Sequence, residues 1–193
     1  MARTINTHSA RRHLEYLDPE KADHIWLMTD DVAGRRPRSL AGSFSRLRKV
    51  LEPAQSNGYA IHVCVNAMRG ETRKIEEVLH IRAVYAEMDH EPSRAFPISP
   101  SFCVRTSPGR FHAYWLTQPG DRLTVSEAED IQRCLVVTYG ADRHAKDVAR
   151  VLRLAGSWHQ KGQPFQTSIF GDTGHRFSRE ELLTAFPPPT PPR

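Results

Sequence analysis

The chain has 193 residues, with 27 Lys and Arg against 22 Asp and Glu, a net charge of +5 and a sequence pI near 9.4. That is enough for one ordinary core, and 22 of the basic residues are arginine, the side chain suited to phosphate forks and base stacking, so a polyanionic partner is favoured. No apolar run approaches the ~20 residues of a membrane helix, and residues 1–12 lack the apolar centre of a signal peptide, which points away from a membrane partner and towards the cytoplasm.

In chain order, an amphipathic helix is predicted over 7–17 and a strand over 25–28. Gly34-Arg-Arg-Pro-Arg38 reads as a loop with no acidic residue after Asp31 to neutralise it. Its Arg35, Arg36 and Arg38 are candidate contacts for a nucleic-acid backbone, and a merely solvated basic loop is the alternative. Leu40, Phe44, Leu47 and Leu51 recur at helical spacing until Pro53, which is expected to end the helix. A strand over 59–65 and a short helix over 71–79 follow. Cys64, Cys103 and Cys134 stand apart inside apolar runs, the pattern of buried thiols in a reducing compartment.

An apolar run from Ile81 then leads into Val84-Tyr-Ala-Glu-Met-Asp-His90. On a strand, residues i and i+2 share a face, so Glu87 and Asp89 project together, as a hard divalent cation requires. Phe102-Cys-Val-Arg-Thr106 and Phe111-His-Ala-Tyr-Trp-Leu116 flank the turn Ser107-Pro-Gly-Arg110 and read as a β-hairpin. Thr124 with Glu127 forms a capping box for a helix to about 139, burying Val125, Ala128, Ile131 and Leu135. Asp147-Val-Ala-Arg-Val-Leu-Arg-Leu-Ala-Gly156 and Ser157-Trp-His-Gln-Lys161 combine an acid, two arginines three residues apart and a lysine past a glycine turn. A strand over 165–170 precedes a second capping box, Ser178 with Glu181, whose helix buries Leu182, Leu183 and Phe186. Residues 187–193 are proline-rich and read as a tail. Strands and helices mingle without strict βαβ repetition, so the fold class is α+β. Metal-dependent chemistry on a phosphate-bearing substrate follows from this order of motifs.

The acidic pair, the Thr-Ser-Pro-Gly-x-x-His-x-Tyr-Trp hairpin and the Asp-x-x-Arg-x-x-Arg-Leu-x-Gly-x-x-x-x-Lys segment resemble, over roughly 25–170, the catalytic domain of plasmid RepB-type primases of the archaeo-eukaryotic primase (prim-pol) superfamily. The resemblance implies an archaeo-eukaryotic primase-like fold, a small αβ lobe packed on an RRM-like sheet lobe with the active site between them, in one two-lobed domain over 1–186. It implies a nucleotidyltransferase that makes primers from nucleoside triphosphates on a single-stranded DNA template, in replication of a mobile element. A compact chain with no helicase motif suggests that a helicase or other replication protein acts in trans, or that this is one fragment of a larger replication protein. Glu87, Asp89 and Asp147 would be the catalytic ligands of Mg²⁺ or Mn²⁺. Asp142 competes for the third role, but Asp147 stands at the family's spacing from Arg153. Ser107, His112, Arg150, Arg153 and Lys161 would bind the nucleotide, unless one arginine simply pairs with Asp147 or Glu87. Tyr114, Trp115 and Trp158 are expected as structure more than as stacking surfaces. Two rivals stand beside this reading: a prim-pol-like module that only holds single-stranded nucleic acid, and a metal-dependent nuclease.

Overall fold

The computed structural model describes residues 3–19 and 23–189, so the end of the predicted tail, from 190 on, lies outside the described residues. Helix α1 (Thr7–Leu17) is capped by Asn6, whose side chain accepts from the Ser9 amide, and buries Ala10, His13, Leu14 and Leu17. Strands β1 (His24–Asp30) and β2 (Arg38–Gly42) form a hairpin around the arginine loop, and Ser43 caps α2 (Phe44–Ser56). Leu40 lies in β2, outside the helix. Pro53 does not end α2: Asn57 N still closes onto Pro53 O at 3.0 Å. The proline sits in the last turns, where it removes a single donor, and burial of Leu51, Ala54 and Gln55 around it holds the helix together.

Strand β3 (Tyr59–Cys64) returns along β1, and the two-residue β4 (Ala67–Met68) pairs with β5 (Val78–His80). The helix expected over 71–79 is only a 3₁₀ turn, Ile75–Glu77, running into β5; none of its residues is buried, so no packing stabilises a longer helix. Next come β6 (Ala83–Met88), β7 (Phe102–Ser107), β8 (Arg110–Thr117) and α3 (Val125–Tyr139), which opens with the predicted capping box. The chain continues as β9 (Val151–Arg153), β10 (Trp158–His159), β11 (Phe165–Gln166), β12 (Ser168–Phe170) and β13 (Arg176–Phe177), and its last helix, α4 (Arg179–Ala185), carries the second predicted capping box. The strand expected over 165–170 is split at Thr167. Its amide and hydroxyl turn inward to Ser157 O and Leu154 O, so β11 pairs with β10 while β12 pairs with β7.

Two sheets result. One has the antiparallel order β2-β1-β3-β9; the other is antiparallel in the order β12-β7-β8-β6, with β13 parallel to the end of β8. Trp26, Met28, Ile61 and Val63 from the first face Tyr85, Phe102, Val104 and Tyr114 from the second across one core that α1 and α2 complete. The opposite face of the second sheet, with Ala86, Met88, Cys103 and Trp115, packs against α3 and Phe186 in another. Each large side chain fully buried in these layers contributes about 1.5–3 kcal/mol. Tyr114 and Trp115 are core, as expected, and the three cysteines are free and buried.

Two further devices tie the layers together. Arg82, just before β6, is 3% exposed and donates to Asp18 at the end of α1, which is 6% exposed, and to His24 Nδ1 at 3.2 Å. Burial, followed by the nearby Arg82 charge, lowers His24 to about 3 and keeps it neutral. The chain before α1 straps onto the segment after β9: Asn6 N donates to Gly156 O at 2.8 Å, Trp158 Nε1 to Thr4 O at 2.9 Å and Arg3 Nη1 to Gln160 Oε1 at 2.8 Å. Gly156 is required there. It has φ 80, and a Cβ on it would lie 2.4 Å from the Asn6 carbonyl oxygen.

Candidate active site

Alternation along β6 turns Tyr85 into the core and puts Glu87 on the same face, where the core opens between the two sheets. The antiparallel register sets Glu87 directly opposite His112 on β8. Glu87 Oε1 lies 3.7 Å from His112 Nε2, and Oε2 lies 3.6 Å from an Arg150 guanidinium nitrogen. Burial alone would raise the Glu87 carboxyl, but His112, Arg150 and His62 more than offset it and hold it down to about 2. Asp89 follows two residues on, lines the same cleft, and lies 3.4 Å from Arg110. The shared face read from the spacing of this acidic pair is what the strand delivers. Between β7 and β8, Pro108 and Gly109 form the turn beside Ser107, with Gly109 at φ 74 supplying the left-handed residue a Pro-Gly turn needs.

The facing wall is the side of the first sheet turned away from the core: Leu27 and Thr29 of β1, His62 of β3, Val151 and Arg153 of β9. Arg153 is buried, 3.4 Å from Asp31 Oδ2 and from the Trp158 carbonyl. Asp31 also accepts from the Gln160 amide at 3.1 Å, so one carboxylate fixes both the arginine and the chain leading to Lys161. Burial pulls the Arg153 guanidinium down, with Asp31 opposing. Burial and then Arg153 push His62 well below its ordinary range, leaving it neutral.

The cleft between these walls measures about 460 Å³. It gathers Glu87, Asp89, Ser107, His112, Arg150, Arg153 and Lys161. Five basic side chains, Arg73, Arg110, Arg150, Arg153 and Lys161, face three carboxylates, Asp31, Glu87 and Asp89, so the cavity suits a multiply charged anion.

Asp147 is the predicted acid that does not line the cleft. It is half-buried, and its carbonyl accepts from the Tyr85 hydroxyl. The rival Asp142 is held in a turn, its amide donating to Glu87 O at 2.9 Å. Among the described residues no three His, Cys, Asp or Glu side chains converge to hold a metal ion by themselves. The oxygen donors Glu87 and Asp89 nevertheless fit a hard cation, because Mg²⁺ is commonly held by one or two carboxylates plus substrate phosphates, without a closed protein cage.

The arginine loop corrects one expectation. Asp30, the residue before Asp31, accepts from the Val32, Ala33 and Arg35 amides and pairs with the Arg35 guanidinium, which holds its carboxyl well below the usual range. Arg35 also donates to Asn57 O at 2.6 Å and covers the Tyr59 ring at 4.7 Å. It is therefore neutralised and structural, whereas Arg36 and Arg38 are exposed with no ion pair among the described residues. Trp158 is anchored too, its amide donating to Gln55 Oε1 at 2.8 Å.

Asp31, His62, Arg73, Arg110 and His159 are cleft residues that sequence reasoning missed. His62 was within reach, since Tyr59, Ile61 and Val63 alternate into the core and leave it on the other face.

Residues 86–168 match the family model of the RepB DNA-primase N-terminal domain. The match covers less than half of the chain. The matched segment spans the acidic pair, the hairpin and the basic cluster, with β6 from Ala86 and β12 at its edges. Among solved structures, the AEP domain of the cyanophage S-2L primase-polymerase is 20% identical, with 95% of this chain and 100% of that one covered and a TM-score of 0.75. The catalytic domain of primase RepB′ in complex with initiator DNA is 17% identical, with 92% of each chain covered and a TM-score of 0.70. A further structure of primase RepB′ is 16% identical at a TM-score of 0.68; the present chain spans 61% of it. These likenesses establish the fold as archaeo-eukaryotic primase-like α+β, as expected. No curated protein matches the sequence.

Proposed function

We propose that this protein is a metal-dependent primase or primase-polymerase that joins nucleoside triphosphates on a single-stranded DNA template, in the replication of a mobile element and with a helicase or other replication protein in trans. The observation that carries the reading is the cleft itself, where an acidic pair on one wall stands opposite Arg150, Arg153 and Lys161 on the other. The RepB′ catalytic domain, solved with initiator DNA, has the same fold.

In this reading Glu87 and Asp89 would hold Mg²⁺ or Mn²⁺, while Asp147, which does not line the cleft, stands outside the ligand set. The bound ion supplies charge neutralisation at the phosphates and eases loss of the proton from an attacking 3′-hydroxyl. Glu87 stays ionised throughout the neutral range, since its neighbours hold it at about 2. Lys161 and Arg150 receive the triphosphate, and Arg150 exchanges its loose contact with Glu87 for phosphate oxygens. Arg153, fixed by Asp31, acts mainly through its field. Ser107 and His112 border the same anion, and Arg36 and Arg38 grip the template backbone.

The test is incubation with template, labelled triphosphates and Mg²⁺ or Mn²⁺. Products longer than the input are expected. Shortened template instead identifies a nuclease, and binding with neither product identifies a module that only holds nucleic acid.

A further inference from the structure

We propose that a second recess, sharing Arg110 with the cleft, stacks an unpaired base of single-stranded DNA on the ring of Phe165; the inference rests on the template-directed reading above. The recess measures about 440 Å³ and opens at the tip of the β7–β8 hairpin. Its back is built from Phe111 and Phe170, which meet edge to face at 6.0 Å and pack, partly buried, against the core beneath α3. Phe165, on the short ribbon β10–β11, is different. Like those two rings it is half-buried, but it belongs to none of the core clusters, and among the described residues no ring contact holds it. An aromatic side chain left out of every core, in a recess wide enough for a planar ring, is a platform without its occupant.

Charge selects that occupant. Arg105 lies over the Phe170 ring at 5.0 Å and Arg110 stands on the rim, with Glu91 the one carboxylate in the lining. Two guanidiniums around an aromatic floor suit a base whose phosphates lie at the edge, and they oppose an apolar peptide or a lipid tail, neither of which would use the charge. Arg110 also faces Asp89 and lines the nucleotide cleft, so a strand seated on Phe165 passes directly to the acidic pair. The recess thus places one template base next to the position where a nucleotide would be joined.

The experiment compares wild type, Phe165→Ala and Phe165→Trp. A fluorescein-labelled single-stranded oligodeoxynucleotide is titrated by anisotropy, and a second oligonucleotide carrying 2-aminopurine reports stacking by quenching. Stacking on an aromatic side chain corresponds to about a 5- to 150-fold loss of affinity on alanine substitution. Phe165→Ala should therefore weaken strand binding within that range and abolish the quenching, leaving Tm and triphosphate affinity unchanged, while Phe165→Trp restores both signals. Wild-type affinity in Phe165→Ala, or equal losses in both variants, overturns the platform alone. Absence of strand binding by wild type overturns the platform together with the reading beneath it.

Discussion

The protein contains two clusters of the same composition, each with one carboxylate, one arginine and one histidine. Asp18, Arg82 and His24 are sealed, with the ion pair 3–6% exposed and the histidine accepting a hydrogen bond from the arginine. Glu87, Arg150 and His112 are open. There the side chains of the acid and the arginine are 28% and 31% exposed, and the charged atoms sit 3.6–3.7 Å apart, too long for hydrogen bonds. His112 Nδ1 has no partner among the described residues. A sealed cluster cannot exchange partners without opening the core, so its work is to join α1, β1 and β6. A loose cluster at a cleft mouth can release its arginine to a ligand at little cost, and the fold elsewhere does not depend on it.

The sharpest way to break this comparison is to remove acids from the open side. Asp89→Ala should lower nucleotide incorporation on the order of 10²-fold or more, with Tm unchanged, because an exposed carboxylate serves ligands and not the core. Near wild-type synthesis in a primer-formation assay would remove this strand from the chemistry. Arg82→Ala should do the reverse. Breaking this buried ion pair should cost up to about 3–5 kcal/mol, a fall in Tm on the order of 10 °C, while activity per folded molecule is retained. Calorimetry beside a specific-activity measurement separates the two effects.

A third test reads the charge balance directly. The folded Glu87 carboxyl lies near 2, below its ordinary 4.5. Its ionised form therefore adds stability that is fully present above about pH 4.5 and lost as pH falls towards 2. Arg150→Gln removes one of the charges that hold it down. The Glu87 titration, followed by carboxyl NMR, should move upward, and the stability lost between about pH 4.5 and 2 should shrink. An unmoved titration would assign the depression to His112 and His62 alone.

The smallest expected effect belongs to the arginine loop. Arg36→Ala with Arg38→Ala should flatten the salt dependence of single-strand binding by up to about 0.7 per lost phosphate contact. Arg35→Ala should leave that slope alone and lower stability instead, since Arg35 is committed to Asp30, Asn57 and Tyr59.

Much of this was legible in the sequence wherever a local rule decides the outcome. Helix α1 and both capping boxes lie where they were expected, and so do the hairpin and the shared face of Glu87 and Asp89, because caps, turns and a two-residue period act over a few positions. The failures are tertiary. Pro53 stays in a helix because Leu51 and Gln55 are buried, and 165–170 breaks because Thr167 finds partners at Leu154 and Ser157. Asp31 as the anchor of Arg153 joins residues 122 positions apart, a pairing no local pattern announces. Asp147 lies off the wall for a similar reason, its segment being fixed by Tyr85 from another strand.

The strap from residues 3–6 to 156–160 bears on how the chain is made. Thr4 and Trp158 are 154 positions apart, so at about 5–20 residues per second the strap waits on the order of ten seconds of synthesis for its partner. By then the acidic wall on β6 and β8 already exists, while β9 and the Gly156 turn are only leaving the ribosome. During that interval Trp26, Met28 and Ile61 lack the strand that finishes their layer, and that apolar surface stays uncovered. The basic wall is thus the last part of the cleft to form, and it closes in the same event that fixes the chain's earliest described residues.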